Sequence, residues 1–362
     1  GIELDPSFSP AFFNRGSLFS ELRDHGAAIA DFSRAIELEP NRAKFFGGRG
    51  LARKRRGDQE GALIDFNKAI ELDSQDYNFF VNRGTIFQSK GDLEKALMDA
   101  DRALVLNPRS RAALTNRGNI FWKKNRLEMA IENYSRALEI DPDFLTARIN
   151  RGMILMKIGD PDSAEKDFSR VIEIDPDEGV AYRFRGTVFL NKKQFDAAID
   201  DLSRALEINP GDIKLYYLRA KAFQGKGGWD AALSDINKII EIDPNDASAY
   251  FRRGFLRTRK GELEGAVSDY DRVIEIKPSY YNAHNNRGYL KKKLGQFDSA
   301  LTDFSREIEL YPKNALGYRN LGFLYQSRGD HEKATVHFRR YLEIAPKSEL
   351  RVKIEAYLKK HE

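Results

Sequence analysis

The residue types that most often do chemistry in proteins are sparse in this sequence or evenly spread along it. Cysteine is absent, which excludes disulfides, thiolate metal sites and cysteine nucleophiles. The five histidines are scattered, and the closest two, His331 and His337, would not face one metal ion on a helix. No glycine-rich phosphate loop follows a strand pattern. We therefore predict no catalytic centre, no metal site and no cofactor.

Charged residues are abundant, but they recur at a fixed interval, as structural residues do. An unrepeated cluster would indicate a reactive site, and the sequence suggests none. Lys and Arg total 60 against 55 Asp and Glu, and a net charge of +5 does not by itself indicate nucleic-acid binding. No apolar run reaches the roughly 18 residues that a membrane span needs. No membrane span is predicted.

The interval is 34 residues, and three residue types mark it. Ten of the twelve prolines fall on it. Alanine marks a second position without exception, from Ala28 to Ala334. Glycine marks a third, from Gly16 to Gly322, with Ala220 as its one substitute. Three ladders in one register indicate an array of repeats.

The array divides into ten repeats, and a residue's position below is its place, 1 to 34, within its repeat. Residues 1–8 match the last eight positions of a repeat and are interpreted as the tail of a truncated preceding repeat. Residues 349–362 are predicted to form an amphipathic C-terminal capping helix. The ten repeats are residues 9–42, 43–76, 77–110, 111–144, 145–178, 179–212, 213–246, 247–280, 281–314 and 315–348.

Apolar residues recur at helical spacing in two blocks of each repeat, and strand patterns are absent. We predict two helices per repeat, with turns near positions 15–16 and 31–34. A helix-interior glycine costs about 1 kcal/mol against alanine, so the glycine at position 8 indicates a steric need. It is predicted to face the alanine at position 20 across the two helices.

The same repeats match a known pattern, which repeat 6 illustrates. It reads Tyr182-x2-Arg185-Gly186-x2-Phe189, then Ala198-x3-Leu202, then Pro210. This spacing resembles the tetratricopeptide repeat, and the resemblance covers 340 of 362 residues. It implies an all-α fold: an α-solenoid, a right-handed superhelix of helix-turn-helix repeats whose first helices line a concave groove.

One departure from that family pattern runs through the array. Nine repeats carry arginine before the position 8 glycine, where the family usually has leucine, and repeat 10 has Leu321. Position 23 is aspartate in eight repeats, Asn133 in repeat 4 and His337 in repeat 10. The joint loss in repeat 10 suggests an Arg–Asp pair inside each repeat. The alternative is a solvent-exposed ladder of positions 23, 26 and 29, which are usually acidic, basic and acidic.

The resemblance implies that positions 2, 5, 9, 12 and 13 of each first helix line the groove. Glu21 is the one acidic residue among these positions, whereas twelve are basic. The macrodipole favours cations at position 13, but the bias remains when that position is left out. The basic residues are Lys44, Lys54, Arg55, Lys123, Lys157, Arg183, Lys214, Lys221, Arg259, Lys292, Lys293 and Arg319.

Aromatic residues join the basic ones at these positions mainly in repeats 7 to 10. They could line the groove or pack against neighbouring first helices. The predicted partner-binding groove, referred to below as the predicted groove, consists of Arg183, Lys214, Tyr217, Lys221, Phe251, Phe255, Arg259, Asn285, Tyr289, Lys292, Arg319 and Phe323.

These patterns predict a non-enzymatic protein-interaction scaffold that binds an acidic and apolar peptide or helix in a basic concave groove. Chaperone-tail capture is disfavoured, because Thr115, Val180 and Phe184 replace three of the five residues of the family's carboxylate clamp. The alternative is an architectural or assembly subunit with end-to-end or subunit-bridging contacts, including self-association. Nucleic acid is disfavoured because the remaining surface is net acidic. A cytoplasmic location is expected, although a start inside a repeat leaves a lost signal peptide open.

Overall fold

A computed structural model of the chain describes residues 7–361, which contain 21 α-helices and no strand. The first helices of the ten repeats are α1 Ser9–Glu21, α3 Ala43–Arg56, α5 Tyr77–Ser89, α7 Arg111–Lys123, α9 Leu145–Ile158, α11 Gly179–Asn191, α13 Ile213–Lys226, α15 Ala247–Lys260, α17 Ala283–Lys293 and α19 Ala315–Ser327. The second helices are α2 His25–Leu38, α4 Gln59–Leu72, α6 Leu93–Leu106, α8 Leu127–Ile140, α10 Pro161–Ile174, α12 Phe195–Ile208, α14 Trp229–Ile242, α16 Leu263–Ile276, α18 Phe297–Leu310 and α20 His331–Ile344. The predicted all-α fold with two helices per repeat is confirmed.

The chain divides into two compact units within α11. The N-terminal unit ends at Val188, and the C-terminal unit begins at Phe189. The last helix, α21 Arg351–His361, lies where the capping helix is predicted and buries Ile354 and Leu358 beside α20. The interpretation of residues 1–8 as the tail of a repeat falls largely on residues 1–6, outside the described residues.

Local chemistry explains where the helices of a repeat begin and end. In repeat 2, Gly57 ends α3 in the left-handed conformation, with a φ of +94° that suits glycine. Asp58 then caps α4, because its carboxylate accepts the backbone N–H of Gly61 at 2.9 Å. An aspartate caps the second helix in the same way in five repeats, near the predicted turn at positions 15–16: Asp24, Asp58, Asp92, Asp160 and Asp330.

The glycine at position 8 makes room for a side chain of the second helix. At Gly118 in α7, a Cβ atom would lie 2.7 Å from Cε1 of Tyr134 in α8. At Gly84, where no ring stands opposite, the nearest atoms are Cβ of Asp99 at 3.1 Å and the carbonyl oxygen of Ala96 at 3.4 Å. The predicted approach of this glycine to the alanine at position 20 thus occurs at Gly84, but side chains at positions 23 and 24 lie closer to Gly84 and Gly118. The alanine at position 20 is fully buried, one helical turn before position 24 on the second helix.

We expect Gly118→Ala to destabilise the protein by about 1–2 kcal/mol, because overpacking against a fully buried ring outweighs the gain in helix propensity. Tyr134 has no exposed surface, and its hydroxyl donates to Oδ1 of Asn119 at 2.6 Å, so its ring has little freedom to move. Chemical unfolding followed by circular dichroism measures the change. Gly84→Ala is the matched control, and an equal loss there would contradict the steric explanation.

The arginine before that glycine pairs with the aspartate at position 23. Nε and Nη2 of Arg83 donate to the two carboxylate oxygens of Asp99 at 2.9 and 2.7 Å, and Asp99 is buried. In repeat 4, Nε of Arg117 donates to Oδ1 of Asn133 at 2.7 Å. The predicted Arg–Asp pair is confirmed for Arg15–Asp31, Arg49–Asp65, Arg83–Asp99, Arg151–Asp167, Arg219–Asp235, Arg253–Asp269 and Arg287–Asp303.

The same arginines also reach the preceding repeat, which the sequence analysis missed. Nη1 of Arg83 donates to Oδ1 of Asn67 at 2.8 Å, and Nη1 of Arg219 donates to the Ser203 hydroxyl at 2.9 Å. Positions 26 and 29 of the proposed surface ladder do pair with each other in solvent, as Arg34 and Glu37 do at 2.8 Å. The aspartate at position 23 takes no part in that ladder where it is buried against its arginine.

Candidate partner-binding groove

Four residues of the predicted groove line one cavity in the C-terminal unit. Tyr289 and Lys292 are three residues apart on α17, and Arg319 and Phe323 are four apart on α19, so each pair shares one helix face. Together they line a cavity of about 470 Å³, and Leu350 lies at its edge. Tyr289 and Lys292 also line an adjoining cavity of about 280 Å³. The positions that the family resemblance implies for the groove therefore face a common space in repeats 9 and 10.

The beginning of α17 is fixed by a buried carboxylate that the sequence analysis missed. Glu307 has no exposed surface, although position 27 is apolar in the other nine repeats. Its Oε1 accepts the backbone N–H of Asn282 at 3.1 Å and Nδ2 of Asn314 at 2.8 Å, and its Oε2 accepts the N–H of Asn285 at 3.3 Å. Asn282 adopts a left-handed φ of 63°, and α17 starts only at Ala283.

This network does not recur in the other repeats, and Glu307 is its single acidic residue among backbone and amide groups. The sequence does contain an indication of this network, because position 27 is a glutamate in repeat 9 alone. The hydrogen bonds of Glu307 are to backbone and amide groups at the start of a helix, so they position α17 and the groove residues on it. Asn285 belongs to the same network. It is 5% exposed, and its Oδ1 accepts a hydrogen bond from Nδ2 of Asn320 at 2.8 Å. Asn285 is therefore the least accessible member of the predicted groove.

Repeats 7 and 8 divide the predicted aromatic residues between packing and exposure. Phe251 stacks on Tyr280, in the connection between α16 and α17, with ring centroids 5.0 Å apart. It also packs against the core cluster that includes Leu290 of α17. The Tyr217 hydroxyl donates to Oδ2 of Asp246 at 2.8 Å, and burial raises the pKa of this phenol. Phe255 is 40% exposed, with the Arg259 guanidinium 5.4 Å from its ring centre. Both alternatives for the aromatic residues thus occur.

In repeats 9 and 10 the aromatic residues divide in the same way. Tyr289 is 42% exposed, with the ammonium of Lys293 5.1 Å from its ring centre. Phe323 is half-buried and meets Phe338 edge to face at 5.0 Å. Its other side borders the cavity between α17 and α19.

The basic residues at the groove positions differ from those on the second helices in whether they pair with carboxylates. Within residues 7–361, none of the twelve basic residues at groove positions forms an ion pair with a carboxylate. On the second helices, by contrast, Lys68 pairs with Glu71 at 2.7 Å and Lys238 pairs with Glu241 at 2.6 Å. Burial lowers the pKa of the half-buried Lys292, because its charge is partly desolvated without a carboxylate partner.

Arg183 belongs to the N-terminal unit. It is half-buried, its Nε atom has no hydrogen-bond partner among the described residues, and its guanidinium lies 4.6 Å from the ring centre of Phe184. In the C-terminal unit, Lys214 and Lys221 are exposed on α13. Among the described residues, no group of three or more His, Asp or Glu side chains could hold a metal ion.

The helices of the described part of the chain all fall short of the length and apolarity that crossing a membrane requires. The tetratricopeptide repeat family model matches residues 13–77, 149–213 and 285–349, which together make up more than half of the chain. The chain belongs to the tetratricopeptide repeat family. Two related models, for the tetratricopeptide repeat and the TPR repeat, match residues 112–144 and 256–295.

Several solved structures are similar to this array. The chain is 17% identical to pilF of Pseudomonas aeruginosa over 56% of this chain and 92% of that chain, with a TM-score of 0.51, which supports the fold alone. A tetratricopeptide repeat protein from Parabacteroides merdae is 21% identical over 68% and 98%, with a TM-score of 0.49. YrrB, described as a TPR protein with an unusual peptide-binding site, is 26% identical over 51% and 95%, with a TM-score of 0.45. No curated protein sequence matches this chain.

Proposed function

We propose that this tetratricopeptide array is a non-enzymatic protein-interaction scaffold. Its groove in repeats 7 to 10 binds a peptide or helix that carries both acidic and apolar side chains. The observation that carries the proposal is the absence of ion pairs, within the described residues, at every basic groove position. A row of cations without carboxylate partners favours a partner that supplies the carboxylates.

Lys292 illustrates how a carboxylate of the partner would contribute to binding. Its ammonium is partly desolvated, and this lowers its pKa. A carboxylate of the partner placed beside Lys292 would favour the charged form and compensate for the lost hydration. Arg319, which lines the same cavity, can bind a second carboxylate through two parallel N–H donors. Acidic side chains are therefore the polar half of the proposed partner.

Apolar side chains are its other half. Phe255 and Tyr289 expose large parts of their rings, and Phe323 borders the cavity between α17 and α19. Exposed aromatic rings beside cations form typical energetic centres of protein interfaces. We expect the rings to supply most of the affinity, and the lysines and arginines to speed encounter and fix the orientation of the partner.

A pair of synthetic peptides tests this function directly. We expect a fluorescein-labelled peptide of about 15 residues, with glutamate and leucine or phenylalanine on one helical face, to bind the protein. The same peptide with lysine in place of glutamate should bind at least ~100-fold more weakly, a difference of about 2.7 kcal/mol. Fluorescence anisotropy measures both affinities at several salt concentrations.

Equal binding of the two peptides would argue against a basic groove. A single-stranded oligonucleotide is the second probe, and tighter binding of this probe with a steep loss in salt would favour nucleic acid instead. If neither peptide binds and the protein self-associates with concentration, the architectural alternative replaces this proposal.

A further inference from the structure

The outer face of α6, the second helix of repeat 3, carries apolar residues where the other repeats carry polar ones. Position 29 is glutamate in the other nine repeats but Val105 here, and position 22 is Met98. Both side chains are 70% exposed. Met98 and Val105 are seven residues apart, which is about two helical turns, so they lie on one face of α6 and form an apolar stripe there.

The loss of that glutamate also leaves a cation without its usual partner. In eight repeats the basic residue at position 26 pairs with the glutamate at position 29, as Arg34 does with Glu37 at 2.8 Å. Arg102 occupies position 26 of repeat 3, and within residues 7–361 it forms no ion pair. It is exposed, and its guanidinium lies 6.0 Å from the ring centre of Phe80 in α5.

The charges beside the apolar stripe have opposite signs on its two sides. At about 100° per residue, Lys95 and Arg102 lie along one side as a basic edge, and Glu94 and Asp101 lie along the other as an acidic edge. All four residues are exposed. The contacts agree, because Nη1 of Arg117 in the next repeat donates to Oδ1 of Asp101 at 3.0 Å, whereas Arg102 faces α5 of its own repeat.

We infer that this face of α6 joins two copies of the chain into a homodimer whose two-fold axis runs parallel to α6. Met98 and Val105 then contact the same residues of the partner subunit, as in other isologous interfaces. The axis sets the basic edge of each subunit against the acidic edge of the other, so Arg102 pairs with Asp101 of the partner subunit. An antiparallel arrangement would place the two basic edges side by side, where like charges repel.

The neighbouring second helices extend this contact. The same axis turns α4 of one subunit toward α8 of the other, and these helices expose Ile64 at 67% and Met129 at 40%. Large apolar residues grouped on one exposed surface mark interaction sites. A contact centred on one helix of each subunit is small, so we expect a dimer that dissociates on dilution. The face belongs to the second helices, so the inference does not rest on the groove of the proposed function.

Sedimentation velocity on the full chain, from about 1 µM to about 300 µM, tests the association. The mass should rise with concentration from that of one chain toward that of two. Met98→Glu and Val105→Glu, each alone, should weaken the dimer at least ~10-fold without lowering the thermal melt, because both side chains are exposed. Val336→Glu is the matched control: it lies at position 22 of repeat 10, is 59% exposed and should leave the dimer unchanged.

Cysteine substitutions test the orientation of the two copies. Because the sequence contains no cysteine, a single introduced thiol reports on its own position alone. Val105→Cys should form a disulfide-linked dimer under mild oxidation, since the two-fold axis brings the two thiols within disulfide reach. Val336→Cys should remain a single chain under the same conditions.

The mass of one chain at every concentration overturns this inference, as does an equal loss of dimer on Val336→Glu. A disulfide that forms in a mixture of the Met98→Cys and Val105→Cys variants, but in neither alone, would indicate antiparallel copies and contradict the two-fold axis. Peptide binding by the groove is measured separately on dilute protein, so the failure of either proposal leaves the other standing.

Discussion

Changing Lys214, Lys221 and Lys292 together to glutamate is expected to weaken binding of the acidic and apolar peptide at least ~100-fold, close to abolishing it. The three lysines form no ion pair within the described part of the chain, so no internal ion pair is lost. Three carboxylates in their place would repel the carboxylates of the peptide. The thermal melt should stay the same, and anisotropy titration measures the affinity.

The control for this experiment is a matched triple variant on the second helices. Lys68 and Lys238 pair with glutamates in their own helices, and Lys95 pairs with Asp92 at 2.8 Å. Exposed pairs of this kind contribute about 0.3–0.5 kcal/mol each, so their reversal should have little effect on stability. Peptide binding should remain intact. If both triple variants lose binding equally, the first helices of repeats 7 to 10 are not the binding face.

The second large effect is expected from Arg83→Leu, which should destabilise the protein by about 2–4 kcal/mol. The substitution leaves the buried carboxylate of Asp99 without its cation and removes the contact to Asn67 in the preceding repeat. Arg49→Leu is the internal control. Its partner Asp65 keeps a second cation, because Nη1 of Arg53 donates to its Oδ2 at 2.9 Å. Chemical unfolding should show a smaller loss there.

A compensating change and a pH dependence test the same pair. Adding Asp99→His to Arg83→Leu copies repeat 10, where Leu321 is buried and His337 stacks on Tyr325 at 5.5 Å. Part of the stability should return, and strictly additive losses would contradict the pair.

Burial already raises the pKa of Asp99 above its ordinary value despite Arg83, and the single variant should raise it further. When the pKa of a carboxyl group is higher in the folded than in the unfolded state, the protein loses stability as pH rises through the folded pKa. The difference in the free energy of unfolding between the Arg83→Leu variant and the unmodified protein should therefore become smaller as pH falls toward about 4. Chemical unfolding at a series of pH values measures it.

The fold could be predicted because its determinants are local and repeated. A turn needs a capping side chain and a left-handed residue, and residues such as Gly57 and Asp58 stand in sequence where the helices meet. Packing within a repeat involves residues sixteen positions apart in sequence, as Arg83 and Asp99 are. Because the pair recurs, the loss of both members in repeat 10 indicates the contact from the sequence alone.

The groove was predictable only as a set of positions. Phe251 and Phe255 lie on the same helix, yet Phe251 stacks on Tyr280 and Phe255 is exposed. Which ring is free depends on the side chains around it, and Tyr280, at the end of the same repeat, covers Phe251. Asn285 fits the groove pattern, but the buried Glu307 and Asn320 hold it inside. These contacts involve residues that do not recur every 34 positions, so the periodic pattern could not reveal them.

The sequence by itself determined the period of 34 residues, the two helices of each repeat and the excess of cations at the groove positions. These follow from spacing, capping and composition, which act over one or two helical turns. Only the tertiary structure decided that the position 8 glycine accommodates a neighbouring side chain, that Arg83 reaches Asn67, and that Gly47 makes room for the ring of Phe79. Each of these depends on atoms from a second or third helix. Their packing distances are set by the side chains between them, and no single stretch of sequence contains those distances.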